Sequence, residues 1–133
     1  MSVTAEQVFS LVPYARTLGV AFLEIEADQV VVELQLDESL STVGGAMHGG
    51  ALMALADIAA AVLASATADG ALPATLESST YFLNRVTGTA TATATLLRVG
   101  RNNVVIEVNI RDNDGNLAVR VTQLVVLTKS SRT

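Results

Sequence analysis

The spacing of hydrophobic positions along the chain predicts a helix, two strands, a long helix and four further strands. VVVELQL at 30–36 is rich in β-branched residues, and TATATAT at 89–95 alternates with a period of two, as strands do. Between them, residues 48–70 are rich in alanine, leucine and methionine and almost uncharged, which favours a buried helix. The predicted elements are a helix over 5–11, strands over 19–26 and 30–36, a helix over 48–70, and strands over 75–83, 87–98, 103–111 and 117–128.

Turn signals separate these elements and indicate how the strands connect. Thr4 followed by Gln7 predicts a capping box at the first helix, and Pro13 is expected to end that helix. Gly100 and Gly115 fall where hairpins should turn. Successive hairpins without helical crossovers predict an antiparallel sheet, and one long helix packed on such a sheet makes an α+β domain. No repeat or linker divides the chain, so we expect residues 1–133 to form a single domain.

Composition narrows the chemistry that this domain can perform. The chain has 133 residues, no cysteine and one histidine, His48. The absence of cysteine excludes disulfides, thiolate zinc sites and cysteine nucleophiles, and a single histidine excludes a multi-histidine metal site within one chain. Carboxylate-only sites for magnesium or calcium stay open in principle. Nothing else in the sequence indicates a metal or another cofactor, and we expect none.

Charge and hydropathy indicate which partners to expect. The formal net charge is −5, whereas proteins that bind nucleic acid through its phosphates are usually basic, so nucleic acid is not an expected partner. The N-terminus has no basic segment before an apolar run, and the apolar run 58–68 is too short to span a membrane. We therefore expect a cytoplasmic protein outside the membrane. Because half of the residues are apolar, the excess apolar surface predicts a homo-oligomer.

Asp57 is the first candidate for chemistry. It is the one charged residue between Glu38 and Asp69, and it falls in the middle of the most apolar helix. A carboxylate buried there needs hydrogen-bonding partners or must hold a proton. From position alone it could be catalytic, or it could be a structural aspartate that hydrogen-bonds to backbone across an interface.

The segment His48-Gly49-Gly50 is the second candidate, since it falls at the predicted start of the same helix. The first N–H groups of a helix are unpaired, and glycine lets a ligand approach them closely enough to stabilise an oxyanion. The glycines could equally serve only as a tight entry turn, and His48 could be a capping or core histidine.

The spacing of His48 and Asp57 bears on the oligomer. Nine positions correspond to roughly 13 Å along a helix and leave the two residues about half a turn out of phase. In a single chain, one small substrate atom cannot readily contact both groups. If both act in one site, a second chain must supply one of them, in agreement with the predicted oligomer.

A motif in this region resembles that of a known enzyme family. The segment Gly45–Gly50 reads GAMHGG and is followed by six residues and then Asp57. This resembles the signature of hotdog-fold thioesterases of the phenylacetyl-CoA thioesterase type, G-x-x-H-G-G followed by an acidic residue. The resemblance covers nearly the whole chain and implies acyl-CoA thioesterase activity and the hotdog fold, an antiparallel sheet wrapped around one long central helix. Other segments that fit are 75–77, Phe82-Leu83, Gly100-Arg101 and Asp114-Gly115.

The resemblance implies roles for individual residues. Asp57 would be the general base or nucleophile on the thioester, and the Gly49 N–H, supplied by the partner subunit, would polarise the carbonyl. His48 would help to orient this region, and Gly50 would lie beside it against the substrate. Thr75 falls where relatives carry a Ser or Thr that assists near the water and the carboxylate.

Thr42 is a departure from the family pattern. It falls six positions before His48, where many relatives carry Asn or Gln. An amide can donate to a carbonyl and orient water at once, whereas a threonine hydroxyl is shorter, so the departure bears on how the carbonyl is held and on the rate. One base and one oxyanion donor could still suffice, because a simple thiol has a pKa of about 8.5 and CoA thiolate is a tolerable leaving group.

A predicted hairpin is the candidate site for the nucleotide end of CoA, a role that the resemblance implies. Arginine suits phosphate, and a glycine turn exposes N–H groups, although solvated turn charges are the simpler interpretation of these residues alone. Lys129 is a further candidate. The hairpin residues are Arg98, Val99, Gly100, Arg101, Asn102 and Asn103.

Phe82 is a candidate for the acyl pocket, and it is equally suited to the core of the sheet. Alternate residues of a strand face opposite sides, so Tyr81 should not share the face of Phe82. The sequence does not name the acyl group, and it does not separate a dimer from a homotetramer built as a dimer of dimers.

Three functions fit the sequence. The first is an acyl-CoA thioesterase that releases the free acid and CoA. The second is a hotdog hydratase acting on enoyl thioesters, although the close Asp and His spacing common in such enzymes is absent. The third is a non-catalytic acyl-CoA-binding module, to which the departure at Thr42 gives some weight.

Overall fold

The chain folds into one six-stranded antiparallel sheet with a long helix packed against one face. The computed structural model describes residues 3–69 and 71–128, and the strands follow the order β1-β2-β4-β5-β6-β3. Two short 3-10 turns, Glu38–Leu40 and Val43–Gly45, precede the long helix. The helices are α1 (Ala5–Leu11), α2 (Pro13–Leu18) and α3 (Gly49–Thr67), and the strands are β1 (Ala21–Ile25), β2 (Gln29–Gln35), β3 (Leu72–Phe82), β4 (Thr89–Val99), β5 (Asn103–Arg111) and β6 (Leu117–Thr128).

The predicted α+β class, the order of the elements and the capping box of α1 are confirmed. Two prolines behave differently from the prediction. Pro13 not only ends α1 but also begins α2, where the first helical position suits its fixed φ. Pro73, which precedes the predicted strand over 75–83, lies within β3, which is possible because β3 is an edge strand and proline removes a hydrogen bond donor there at little cost.

Helix α3 forms the centre of the core. Most of its side chains are buried, and it contacts all six strands. It is the one helix among the described residues that is long and apolar enough to cross a membrane, and 56% of that apolar stretch is buried inside the protein. Its apolar character is therefore explained by packing against the sheet. The exposed positions of α3 are Gly50, Met53 and Asp57, which form one stripe at helical spacing.

Strand β3 presents an open edge. It pairs with β6 on one side, no described strand pairs with its other side, and most of its residues are exposed. A long, exposed and apolar edge strand is a template for pairing with another chain. The large hydrophobic side chains exposed on β3 and on the residue after it are Leu72, Leu76, Tyr81, Phe82 and Leu83.

A bulge in β3 changes which residues face the helix. Ser78 pairs with Gln123 and Thr75 pairs with Val125, and the register shifts between Thr75 and Glu77. Gln123 and Val125 are both buried under α3, so Ser78 and Thr75 face the helix although they are three positions apart. In a regular strand these two residues would point to opposite faces. The extra residue, Leu76, therefore turns the Thr75 hydroxyl toward α3.

Candidate active site

The Asp57 carboxylate is held by two donors that act on the same oxygen. The Thr75 hydroxyl donates to Oδ1 at 2.8 Å, and the Gln123 amide Nε2 donates to Oδ1 at 2.9 Å. The described residues offer no donor to the other oxygen, Oδ2. Asp57 therefore has one oxygen fixed in place and one free to accept a proton or to attack an electrophile.

The expectation that Asp57 is buried is wrong for the single chain, in which its side chain is exposed. Asp57 lies on the flank of α3 that points toward β3, and that strand forms the edge of the sheet, so none of the described residues covers it. The expectation that Asp57 has hydrogen-bonding partners is confirmed by Thr75 and Gln123.

Gln123 is a residue of this site that sequence reasoning missed. It is fully buried, and it is the one buried polar side chain among the described residues. The inward positions of β6 carry Val119, Val121, Gln123 and Val125, so an amide interrupts a run of valines. The sequence shows this amide among the valines, but only the fold, which pairs β6 with β3, shows that it lies beside Asp57. We call Asp57, Thr75 and Gln123 the carboxylate half-site.

The N-terminus of α3 forms a second group of candidate residues. His48 is the N-cap, and its Nδ1 accepts a hydrogen bond from the Gly50 N–H at 2.7 Å. The Gly50 N–H is thus engaged within the chain. The neighbouring Gly49 N–H has no acceptor among the described residues, as expected for the first position of a helix.

Phe82 lies against the start of α3. A Cβ on Gly49 would come within 3.2 Å of the Phe82 ring, so glycine permits this close approach. Phe82 faces the helix and Tyr81 the opposite side of the sheet, as predicted from the alternation. A cavity of about 360 Å³ opens beside them, and its lining includes Thr42, Met47, Gly49, Leu52, Phe82 and Arg85. We call His48, Gly49 and Phe82 the helix half-site.

The arginine-containing hairpin joins β4 to β5. Arg98 and Arg101 are exposed, and the turn closes with a hydrogen bond from the Gly100 N–H to the Asn103 carbonyl at 2.8 Å. A Cβ on Gly100 would lie 2.7 Å from Arg98 Nη1, so glycine allows the guanidinium to fold back over the turn. The Leu127 N–H anchors Asn102 by donating to its carbonyl at 2.9 Å. Lys129 lies outside the described residues.

The hairpin lies at the same end of the sheet as Asp57. Asn103 pairs with Val126 of β6, and Val126 pairs with Ala74 of β3, the neighbour of Thr75. Two strand spacings, about 10 Å, therefore separate the start of β5 from the level of Thr75. The hairpin and the carboxylate half-site form one end of the molecule.

The two half-sites are apart within one chain. Thr75 and Phe82 lie on the same strand, seven positions apart, which corresponds to roughly 20 Å along a strand. The structure therefore brings Thr75 and Asp57 together and sets Gly49 beside Phe82, but it does not bring these two pairs to one point. A single small reacting group cannot contact both half-sites of the same chain.

Other titratable groups do not add to the site. The lowered pKa of Asp37 is due first to a hydrogen bond from the Ser39 hydroxyl, and that of Asp112 to hydrogen bonds from backbone N–H groups, chiefly that of Asn116. Both carboxylates stabilise turns. Among the residues described, no three His, Asp or Glu side chains cluster in a way that could hold a metal ion.

Comparison with known proteins places the chain in a family. The family model described as a domain of unknown function, DUF4442, matches residues 3–127. A protein of Saccharolobus solfataricus that carries an esterase name is 30% identical over 117 residues, which cover 87% of this chain and 79% of that protein. The 1,4-dihydroxy-2-naphthoyl-CoA hydrolase of Listeria monocytogenes is 26% identical over 118 residues, covering 87% of this chain and 95% of the hydrolase.

Solved structures confirm the hotdog fold. A thioesterase of Haemophilus influenzae superposes with a TM-score of 0.90 at 22% identity, over 99% of this chain and 95% of the other. The E. coli PaaI protein from the phenylacetic acid degradation operon superposes with a TM-score of 0.87 at 21% identity, over 97% of this chain and 94% of the other. The chain thus belongs to the DUF4442 family and has the hotdog fold.

Proposed function

We propose that this protein is an acyl-CoA thioesterase, which hydrolyses the thioester of an acyl- or aryl-CoA to the free acid and CoA. The observation that carries the proposal is the Asp57 carboxylate, with Oδ1 held by Thr75 and Gln123 and Oδ2 free. The Listeria relative, which its name describes as a naphthoyl-CoA hydrolase, supports an aryl- or acyl-CoA substrate. We propose that it works in the cytoplasm as a homo-oligomer, with no metal or other cofactor.

The proposed reaction uses one base and one oxyanion donor. A water molecule attacks the thioester carbonyl while Asp57 Oδ2 accepts its proton, and the Gly49 N–H donates to the carbonyl oxygen as it becomes negative. The tetrahedral intermediate then breaks its C–S bond, and the CoA thiolate leaves and takes up the proton. In the second version of the step, Oδ2 itself attacks the thioester carbonyl and expels the CoA thiolate, and water then attacks the Asp57 carbonyl carbon of the resulting anhydride and releases the free acid. Single-turnover hydrolysis in ¹⁸O-labelled water separates the two, because only the second leaves ¹⁸O on Asp57.

The proposed site needs a second copy of the chain. Within one chain, Asp57 and Gly49 are eight positions apart on α3, about 12 Å along the helix, and Thr75 and Phe82 are roughly 20 Å apart along β3. The open edge of β3 and its exposed hydrophobic side chains favour antiparallel pairing of two β3 strands, which would bring the start of one strand to the end of the other. Asp57 of one chain would then meet Gly49 of its partner.

The faces of β3 restrict the register of this pairing. Residues directly opposite each other in an antiparallel pair share a face, so a helix-facing residue must lie opposite another helix-facing residue. Between Glu77 and Phe82, every second residue faces the helix. The condition is therefore met only if the two-fold axis that relates the two chains passes through a residue of β3, and not between two neighbouring residues. With Ser79 on the axis, Ser78 lies opposite Thr80 of the partner, and Phe82 lies opposite the bulge that carries Thr75. We therefore propose that Ser79 lies on the axis.

The arginine-containing hairpin is proposed to bind the nucleotide end of CoA. Arg98 and Arg101 are exposed, they lie at the end of the sheet that carries Asp57, and they are free to meet phosphate groups. Thr42 lines the cavity at the helix half-site, which supports a role for its hydroxyl near the substrate carbonyl.

The experiment that tests the proposed function is a panel of acyl-CoA thioesters with a thiol-trapping dye. Wild-type protein is expected to release CoA from at least one aryl, short, medium or long acyl class. Asp57→Asn keeps the size of the side chain but removes the base, so we expect a loss of at least about 10²-fold in kcat. Oligomeric state and Tm of the variant serve as the control for folding.

Two outcomes would contradict the proposal. A wild-type protein that binds acyl-CoA and returns it unchanged would identify a binding module. Near-normal turnover in Asp57→Asn would remove Asp57 from the mechanism.

A further inference from the structure

Gln123 occupies a position where packing alone does not explain an amide. Its side chain has no exposed surface, and its neighbours on the same face of β6 are valines, with Ile106 opposite on β5. Its Oε1 is buried and has no hydrogen bond partner among the described residues. A buried acceptor without a partner is destabilising, and a valine, leucine or methionine would fill this space without that cost. A polar side chain therefore occupies a position where an apolar one would stabilise the core more.

The donor side of the amide accounts for its presence. Nε2 donates to Asp57 Oδ1 at 2.9 Å and lies 3.4 Å from the Thr75 hydroxyl oxygen. The orientation of the amide follows from this contact, because the reverse orientation would set Oε1 against a carboxylate oxygen. When the Thr75 oxygen accepts from Nε2, its own hydrogen is directed to Asp57 Oδ1, to which it donates at 2.8 Å.

From this geometry we propose that Gln123 is the positioning residue of the carboxylate half-site, an inference that rests on the proposed function. It acts through Asp57 and Thr75 and does not touch the substrate. By holding Oδ1 from below and orienting the Thr75 hydroxyl, it fixes the plane of the carboxylate so that Oδ2 points away from the core. A structural need of Asp57 does not explain this contact, because Asp57 is exposed in the chain and water could satisfy it.

The test is Gln123→Met, which keeps the length of the side chain and removes the donor. The carboxylate loses a charge-assisted hydrogen bond, so we expect kcat to fall about tenfold or more with KM little changed. Since the lost donor favoured the anionic carboxylate, the acidic limb of the pH profile of kcat/KM should move to higher pH. The Tm should stay equal or rise, because the unpaired Oε1 is removed as well.

Val121→Ala is the matched control for disturbance of the core. Val121 is the preceding inward residue of β6 and is buried. Its aliphatic side chain takes no part in the hydrogen bonds of Asp57. This variant should lower the Tm while leaving kcat and the pH profile unchanged. A role of Gln123 in packing alone predicts the same behaviour for Gln123→Met, and that result would overturn the proposal.

A second variant and a second readout keep the test independent of folding and of turnover. Gln123→Glu has the same shape but can donate to Asp57 only when protonated, so its activity should fall above the pH at which the new carboxyl ionises. In both variants, the ¹³C resonance of the Asp57 carboxyl should titrate at higher pH than in the wild type. If wild-type protein hydrolyses no thioester, the proposed function fails while this NMR comparison still tests Gln123. Unchanged NMR titration would overturn the role of Gln123 and leave the proposed function standing.

Discussion

At the residue scale, the chemistry depends on which atoms of the two half-sites are already hydrogen-bonded. Asp57 Oδ1 accepts from Thr75 and Gln123, which leaves Oδ2 for a proton or a carbonyl carbon. The Gly50 N–H donates to His48, which leaves the Gly49 N–H as the free donor at the start of α3. Each half-site thus presents one unengaged group of the kind that thioester hydrolysis requires.

The role of the Gly49 N–H can be tested by removing that donor alone. Gly49 is the first residue of α3, a position that proline favours, and its N–H has no partner within the helix. His48 has φ −63° and ψ 138°, the extended conformation that a residue before proline adopts. Gly49→Pro should therefore leave the helix intact and lower kcat by about 10² to 10³, the usual effect of losing an oxyanion donor.

Gly49→Ala is the control for that variant. Its Cβ meets the Phe82 ring at the same 3.2 Å, but the N–H is retained. Steady-state kinetics of the two variants, with circular dichroism to check the helix, separate the donor from the contact with Phe82. Equal losses in both variants would show that crowding of Phe82, and not the N–H, is responsible.

At the element scale, most of the fold but only part of the candidate site could be predicted from the sequence. The hydrophobic pattern was sufficient for α1, α3 and all six strands, because each has a consistent period or composition. It could not show that Pro13 starts a helix or that Pro73 lies in a strand, since both depend on tertiary position. Asp57 and Thr75 were found because a motif and a resemblance pointed to them. Gln123 was missed because its partner is 66 positions away, and only the pairing of β6 with β3 brings them together.

The bulge at Leu76 could not be predicted from the sequence. It turns Thr75 to the same face as Ser78, Thr80 and Phe82, and in the proposed register it lies opposite Phe82 of the partner. A single insertion in an edge strand thus serves both the carboxylate half-site and the proposed interface.

The register can be tested by crosslinking, because the chain has no cysteine of its own. Antiparallel residues on a two-fold axis have Cα atoms about 4.5 or 5.5 Å apart, within the range that a disulfide bridges. Ser79→Cys should therefore form a covalent dimer under mild oxidation, visible on a non-reducing gel. Thr122→Cys is the control, since Thr122 pairs with Ser79 one strand further in and would lie about 14 Å from its copy. A dimer that forms no crosslink through Ser79→Cys, or that crosslinks equally through Thr122→Cys, would contradict the proposed register.

At the scale of the whole molecule, the fold places the two half-sites of the proposed reaction toward opposite ends of β3. The Asp57 end also carries the arginine-containing hairpin, and the Gly49 end carries the cavity of about 360 Å³. Pairing of two chains through β3 would create two identical sites, each with the base and the CoA-binding hairpin from one chain and the oxyanion donor from the other. The exposed hydrophobic side chains of β3 would be covered in the same step.

The measurement that tests this account most directly is complementation between two inactive variants, Asp57→Asn and Gly49→Pro. Each homodimer lacks one group in both sites, whereas a mixed dimer has one site with both groups intact. Random assembly after co-expression should restore about a quarter of wild-type activity, because half of the dimers are mixed and each has one working site. Native mass spectrometry confirms that mixed dimers form. If mixed dimers are present and the activity stays at the level of the separate variants, Asp57 and Gly49 do not act across the interface and the account is contradicted.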